Sequence, residues 1–169
     1  MQYDLIVIGA GPGGYVAAIR AAQLVLKTAV AERAEVGGTC LNRGCIPTKT
    51  LMHSANLYRE IGEAGKMGVN VTGAEADFKA MHARKAQVVE QLRGGVAQLL
   101  KGNGIEVLEG EAAFVSPESI TVCGETYTAR NFIIATGSKP AVPPIPGADL
   151  PNVVTSDEML DTDSCDYKE

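Results

Sequence analysis

Clusters of basic residues are missing from this sequence. Its 15 lysines and arginines are outnumbered by 20 aspartates and glutamates, so the formal net charge is −5 over 169 residues. Nucleic acid and anionic membrane are therefore not expected as partners. No apolar run approaches the ~20 residues of a membrane span. The start, MQYDLIVIGAGPGG, has neither the basic leader nor the small-residue cleavage site of a signal peptide, and a cytoplasmic chain is expected. Cysteine is scarce, with four in the chain. That is too few for a disulfide-stapled secreted domain, so a close pair points to metal or redox chemistry. His53 and His82 are the only two histidines. Both fall on helical stretches without a partner at catalytic spacing, and surface or packing roles are expected for them. No internal repeat is found.

What is present is ordinary for a globular protein: 46% hydrophobic and 21% charged residues, enough for one domain or a domain with an appendage. Asp4–Ile8 is a short β-branched run suited to a strand buried on both faces. A glycine-rich loop follows from Gly9 to Gly14, then the Ala-rich helical stretch YVAAIRAAQL, then a second strand, TAVAE, over 28–32. A helix is expected from Thr39 to about Glu63, beginning irregularly around the cysteines, with a loop over 65–73. Phe78, Met81, Val88, Val89, Leu92, Val96, Leu99 and Leu100 recur every three or four residues and predict a long amphipathic helix. Gly94–Gly95 weaken it locally, and Asn103–Gly104 ends it. IEVLEG, EAAFV, SITVCG and ETYTA, separated by turn signals, predict a small antiparallel meander. NFIIA reads as another buried parallel strand, ending at Thr136–Gly137–Ser138. Beyond it the chain is Pro-rich and then polar, with no pattern in DTDSCDYKE.

A lone GxGxxG is a weak signal. Here Gly9, Gly11 and Gly14 follow a strand and open a helix, which is the context the motif requires. Gly9 permits the tight turn, Gly11 leaves the backbone open to a pyrophosphate, and Gly14 lets helix and strand pack closely. The helix N-terminus offers N–H groups and partial positive charge to phosphate. The motif also needs an acid about 20 residues on to bind a ribose diol, and Glu32 stands there. An adenine dinucleotide is expected; NAD and FAD share the motif.

Three readings compete for Cys40 and Cys45 in VGGTCLNRGCIPTKT. Half a zinc site would need a second pair of ligands, and no further Cys or His pair stands at ligand spacing. Two inert thiols are the second reading. A redox-active pair is the third, supported by a helix start, which stabilises thiolate, by the charge of Arg43, and by Gly37, Gly38 and Gly44, which let the backbone approach something flat. Cys123, read as part of a strand, and Cys165, in the tail, are lone thiols.

Taken together, MQYDLIVIGAGPGGYVAAIRAA, Glu32, GGTCLNRGCIPTKTL and ATGSKP resemble the pyridine nucleotide-disulfide oxidoreductase family, in order and over essentially the whole chain. The resemblance implies an α/β fold: a Rossmann-like FAD-binding domain with a parallel sheet, helices and a small antiparallel meander, incomplete relative to the family. Residues 1–150 would be the N-terminal part of that domain, and 151–169 a polar tail leading toward an NAD-binding domain. Gly9, Gly11, Pro12, Gly14, Glu32 and Arg33 would bind the adenosine and pyrophosphate of FAD. Gly38 and Thr39 would lie near phosphates and flavin, Ala112 would meet the adenine, and Thr136, Gly137 and Ser138 would form a second cofactor-contacting turn. Cys40 and Cys45 would form the redox disulfide, Cys40 exchanging with the dithiol and Cys45 contacting the flavin, with Lys49 beside the reactive flavin nitrogen.

Leu41 and Ile46–Lys49 favour a dihydrolipoamide or lipoyl-domain substrate over the glutathione and mercuric reductase types. Complete relatives are homodimers that also bind NAD, through a second GxGxxG, and nothing after Gly137 supplies one. Their general base is a His–Glu pair in a later domain. A binding module without turnover is therefore the alternative for this chain. Val25 stands where relatives usually have glycine, so the turn there is expected to be rebuilt or strained. Arg43 replaces a more usual valine.

Overall fold

The apolar run after Gln2 forms β1, Tyr3–Ile8, in the computed structural model of the chain, which describes residues 2–162. Leu5 to Ile8 pair in parallel with Thr28 to Ala31 of β2, Thr28–Glu32. The Ala-rich stretch between them is α1, Pro12–Gln23, with Pro12 in its first turn, where a missing N–H costs nothing. Ile6, Val7, Ala29 and Val30 are fully buried, as a strand pair covered on both faces requires. The chain divides into two compact units: residues up to Asn42 with Gln91–Lys139, and Arg43–Glu90 with the chain from Pro140.

The first unit carries one sheet in the order β3-β2-β1-β6-β5-β4. Four expectations are corrected here. IEVLEG does not open the meander: β3, Glu106–Glu109, pairs in parallel with β2. ETYTA and NFIIA are not two strands but one, β6, Glu125–Ile134. Its first half pairs antiparallel with β5, Ser119–Val122, and its second half pairs in parallel with β1. β4, Ala112–Ser116, completes the meander. Nor is the NFIIA half buried. The β5 ladder stops at Thr128, so Arg130–Ile134 has no strand on its outer edge among the described residues, and Ile134 is 68% exposed. Cys123 is in no strand either. With φ of 49° it forms, with Gly124 at 85°, the two-residue hairpin turn between β5 and β6, and both positive angles suit a type I′ turn. Its thiol donates to Glu109 O at 3.3 Å.

The helix expected from Thr39 is split in two. α2, Gly38–Arg43, ends the first unit's segment, and α3, Cys45–Glu63, begins after Gly44, whose φ of −145° and ψ of −104° interrupt the helix. A short 3₁₀ turn spans Ala64–Met67. The long amphipathic helix is α4, Phe78–Gly102, which belongs to the second unit up to Glu90 and to the first from Gln91, and is unbroken at Gly94–Gly95. His82 is buried, its ring 4.4 Å from that of Phe78, in keeping with a packing role, whereas His53 is exposed on α3. The stretch expected to be a polar tail contains α5, Ser156–Asp161, closed by a capping box between Thr155 and Glu158. Cys165 lies outside the described residues.

Val25 settles its own question. Val25 N–H donates to Ala22 O at 2.9 Å and Leu26 N–H to Ala21 O at 3.1 Å, the paired bonds of a Schellman ending that places Val25 in the left-handed position. Its φ is 66° and its side chain is 90% exposed. The turn is thus the glycine turn, with a β-branched residue strained into it. An L-residue there costs about 1–2 kcal/mol, and glycine gives back about 0.5–1 kcal/mol in unfolded-state entropy. Val25→Gly is expected to stabilise the chain by about 0.5–1 kcal/mol, read as a higher denaturant midpoint at unchanged slope. An unchanged or lower midpoint would remove the strain argument.

Candidate functional site

β1 ends where Gly9 must turn the chain under the 135–136 backbone. Gly9 has φ of 101°, and a Cβ there would lie 2.3 Å from Ala135 O. A Cβ on Gly14 would lie 1.8 Å from Gly9 O, so α1 and β1 pack backbone to backbone, as the motif predicts. Gly11 is different. Its nearest neighbour for an added Cβ is Gly38 Cα at 3.7 Å, an ordinary contact. A Cβ has room there although the Gly38 backbone lies beside it. Gly11 is the N-cap of α1 and supplies no side-chain cap; Gly14 and Tyr15 N–H both donate to its carbonyl at 2.9 Å and Pro12 has no N–H, so Gly13 N–H is the first-turn donor that Gly11 O does not take.

Glu32 ends β2 with its carboxylate held from two sides. Ala10 N–H donates to Oε2 at 2.7 Å and Ala34 N–H to Oε1 at 2.9 Å. A carboxylate has about four lone-pair sites, so each oxygen keeps capacity for a hydroxyl donor. Next to Glu32 opens a cavity of about 320 Å³, lined among others by Gly9, Glu32, Arg33, Ala112 and Thr136–Ser138. It lies at the carboxyl ends of parallel strands, where open α/β sheets bind ligands. Residues separated by a hundred positions in sequence meet there. Gly110, Glu111 and Lys139 also line it and carry no motif in the sequence; Glu111 Oε1 lies 3.8 Å from Arg33 Nη1 across exposed surface.

Gly38 and Thr39 begin α2. Gly38 has φ of 61°, and a Cβ on it would lie 2.5 Å from Gly11 Cα; the α2 segment is pressed against the glycine loop. Gly37 N–H donates to Ala10 O at 2.8 Å, and Leu41 is buried against Gly37. Cys40 and Cys45 are joined by a disulfide. Cys45 is the first residue of α3, where the helix dipole favours thiolate once the bond opens. Pro47 is buried in that first turn, and Lys49 is exposed one turn beyond Cys45 on the same face. Cys45 and Lys49 belong to the second unit; the glycine loop, Glu32, Cys40 and the cavity belong to the first.

Asn42 is not among the residues expected at the site. Its side-chain N–H₂ donates to Val36 O and Gly38 O, both at 3.0 Å, and its Oδ1 accepts from Arg93 Nε at 3.0 Å.

The chain resembles known proteins in sequence and in fold. The family model described as pyridine nucleotide-disulphide oxidoreductase matches residues 3–168. A protein named dihydrolipoyl dehydrogenase from Thermus scotoductus is 56% identical over 138 residues, 82% of this chain and 30% of its own length. One of the same name from Bacillus subtilis is 47% identical over 166 residues, 96% of this chain and 34% of its own. The chain thus spans about a third of these relatives. Among solved structures, the HOCl-induced flavoprotein disulfide reductase RclA from Escherichia coli superposes with a TM-score of 0.79 at 33% identity, over 96% of this chain and 34% of that one.

Proposed function

The chain belongs to the pyridine nucleotide-disulphide oxidoreductase family, and we propose that it is the N-terminal part of a dihydrolipoyl dehydrogenase that binds FAD and carries its redox disulfide. The observation that carries this is the cavity at the ends of β1 and β2, beside a glycine loop that leaves Gly11 open and a Glu32 with acceptor capacity to spare. These residues fit the adenosine and pyrophosphate of FAD, with Arg33, Ala112 and Thr136–Ser138 around them. Residues 1–150 would be this cofactor-binding portion, and 151–169 the lead into an NAD-binding domain. The whole protein would act as a homodimer.

The work of the chain's own residues is thiol–disulfide exchange. A thiolate of dihydrolipoamide attacks Cys40 Sγ, the Cys40–Cys45 bond breaks, and Cys45 leaves as thiolate. The second substrate thiol, losing its proton, then attacks the mixed disulfide. Lipoamide closes to its disulfide, and Cys40 leaves as a thiol. Two electrons have passed from the dithiol to the cysteine pair. FAD, when bound, would supply the two-electron acceptor from which they pass to NAD. Lys49, one turn after Cys45, contributes positive charge on the Cys45 face of α3.

The assay is NAD reduction by dihydrolipoamide in the full-length protein that contains this segment, run beside glutathione disulfide and Hg(II) with NADPH. Turnover only with the latter two would assign a glutathione or mercuric reductase instead. The division of labour between the thiols has its own readout. Cys40→Ser is expected to show a long-wavelength thiolate–flavin absorption without added reductant, and Cys45→Ser to lack it even after reduction. The reverse pattern would exchange the two roles.

A further inference from the structure

Asn42 is inside the short loop that the Cys40–Cys45 disulfide closes, and its side chain is held by four partners, Glu35 O at 3.5 Å from Nδ2 among them, that leave it one orientation. Val36 O and Gly38 O, each 3.0 Å from Nδ2, accept and must face the amide N–H₂. Arg93 Nε, 3.0 Å from Oδ1, can only donate and must face the amide oxygen. A flipped amide would set oxygen against three carbonyls and N–H₂ against a guanidinium. The bond from Arg93 is charge-assisted, of the stronger class, and it ties the loop to α4, 51 positions away in sequence. Neither Asn42 nor Arg93 lines the cavity.

We propose that Arg93 is a positioning residue for the disulfide. Through Asn42 it holds the Cys40 segment in one conformation and so favours the closed disulfide over the open dithiol. This rests on the reading of Cys40–Cys45 as a pair that opens and closes. The physical reason is loop-closure entropy. A bond between two thiols of one chain closes more readily when the segment between them is already ordered, because less freedom remains to be lost. With the Arg93–Asn42 bond gone, the open form gains conformations that the closed form cannot share. The equilibrium then moves toward the dithiol, and the disulfide becomes easier to reduce.

The test is a redox titration of this chain against dithiothreitol and its cyclic disulfide. In it, dithiothreitol gives two electrons and two protons to the cystine and is itself oxidised to the six-membered ring. The oxidised fraction is read by alkylation and peptide mass at Cys40 and Cys45, which separates them from Cys123 and Cys165. Arg93→Ala is expected to shift the equilibrium about three- to tenfold toward dithiol, tenfold being about 30 mV. Asn42→Ala is expected to give a shift at least as large, and the double variant no more than Asn42→Ala alone. A thermal melt runs beside each titration, since a merely structural role for Arg93 would lower the melt and leave the midpoint in place. An Arg93→Ala midpoint equal to that of the parent chain overturns the proposal. So does a double variant in which the two shifts add, because Arg93 would then not act through Asn42. If Asn42→Ala does not fold, Arg93→Gln, which removes the guanidinium and keeps much of the stem, is expected to shift the midpoint in the same direction, and an unmoved midpoint there overturns the proposal equally. Failure of the parent chain to cycle at all, with Cys40 and Cys45 staying in one state across the titration, would sink the functional reading instead.

Discussion

A Gly11→Val protein is expected to fold and to lose its dinucleotide, while Gly14→Val is expected not to fold. The two glycines belong to one motif and differ in what stands behind them. At Gly14 a Cβ would sit 1.8 Å from Gly9 O, a clash with backbone that no side-chain rotation relieves. Overpacking costs about 1–3 kcal/mol even in cores that can adjust. Here α1 would have to part from β1, against a total stability of about 5–15 kcal/mol for a domain. At Gly11 the Cβ would be 3.7 Å from its nearest protein atom, and φ of −71° with ψ of −178° is open to any residue. A Cβ at Gly11 therefore finds room beside Gly38, and the bulk that valine adds beyond it is expected to compete with the ligand for the space at the loop. In the full-length protein, far-UV circular dichroism and bound-flavin content separate the cases: parent-like dichroism and no flavin for Gly11→Val, collapsed dichroism for Gly14→Val. Normal flavin content in Gly11→Val would remove the pyrophosphate from the glycine loop.

This contrast also marks how far the sequence could be read. The strand, glycine loop, helix and acid were legible because each carries a local requirement: Gly9 turns the chain with a positive φ at the end of β1, Gly14 packs on the Gly9 backbone five positions away, and Glu32 stands at the end of β2. Strand partners were not. IEVLEG and ETYTA have the same β-prone composition as their neighbours, and nothing local says that β3 joins the parallel side or that β6 runs through both halves of the sheet. The loss of burial in NFIIA was hidden for the same reason, since an open edge is a property of what is not beside a strand. Asn42 carried a weak signal, a side chain that bonds backbone wherever it can, but Arg93 looked like one more charge on a helix. The capping box of α5 is written in Thr155 and Glu158, yet only a short helix follows and no apolar period draws attention to it.

Expressed alone, the 169-residue segment is expected not to reduce NAD with dihydrolipoamide, and to associate with itself. Three requirements bear on catalysis. A base must take the proton of the incoming thiol; His82 is buried against Phe78, and His53 lies exposed on α3 with no catalytic spacing around it. Loss of a general base costs about 10²- to 10⁴-fold. A nicotinamide must also be bound, and the one GxGxxG of the segment, Gly9 to Gly14, is taken by FAD in this reading. The third requirement is an enclosed pocket, and the segment spans 34% of the length of its Bacillus subtilis relative. The sheet bears on association. Arg130–Ile134 of β6 is paired with β1 on one side and with no strand on the other among the described residues. Ile133 is 38% and Ile134 68% exposed there. An apolar edge with unpaired N–H and C=O groups is a template for another strand. Size-exclusion chromatography with light scattering should find dimers or larger species whose share rises with concentration, and Ile134→Lys, which sets a charge on that edge, should return the segment toward monomer. A yellow, monomeric segment turning over NAD with dihydrolipoamide would mean that the base, the nicotinamide site and the sheet edge are all supplied within these 169 residues, contrary to each step of the argument.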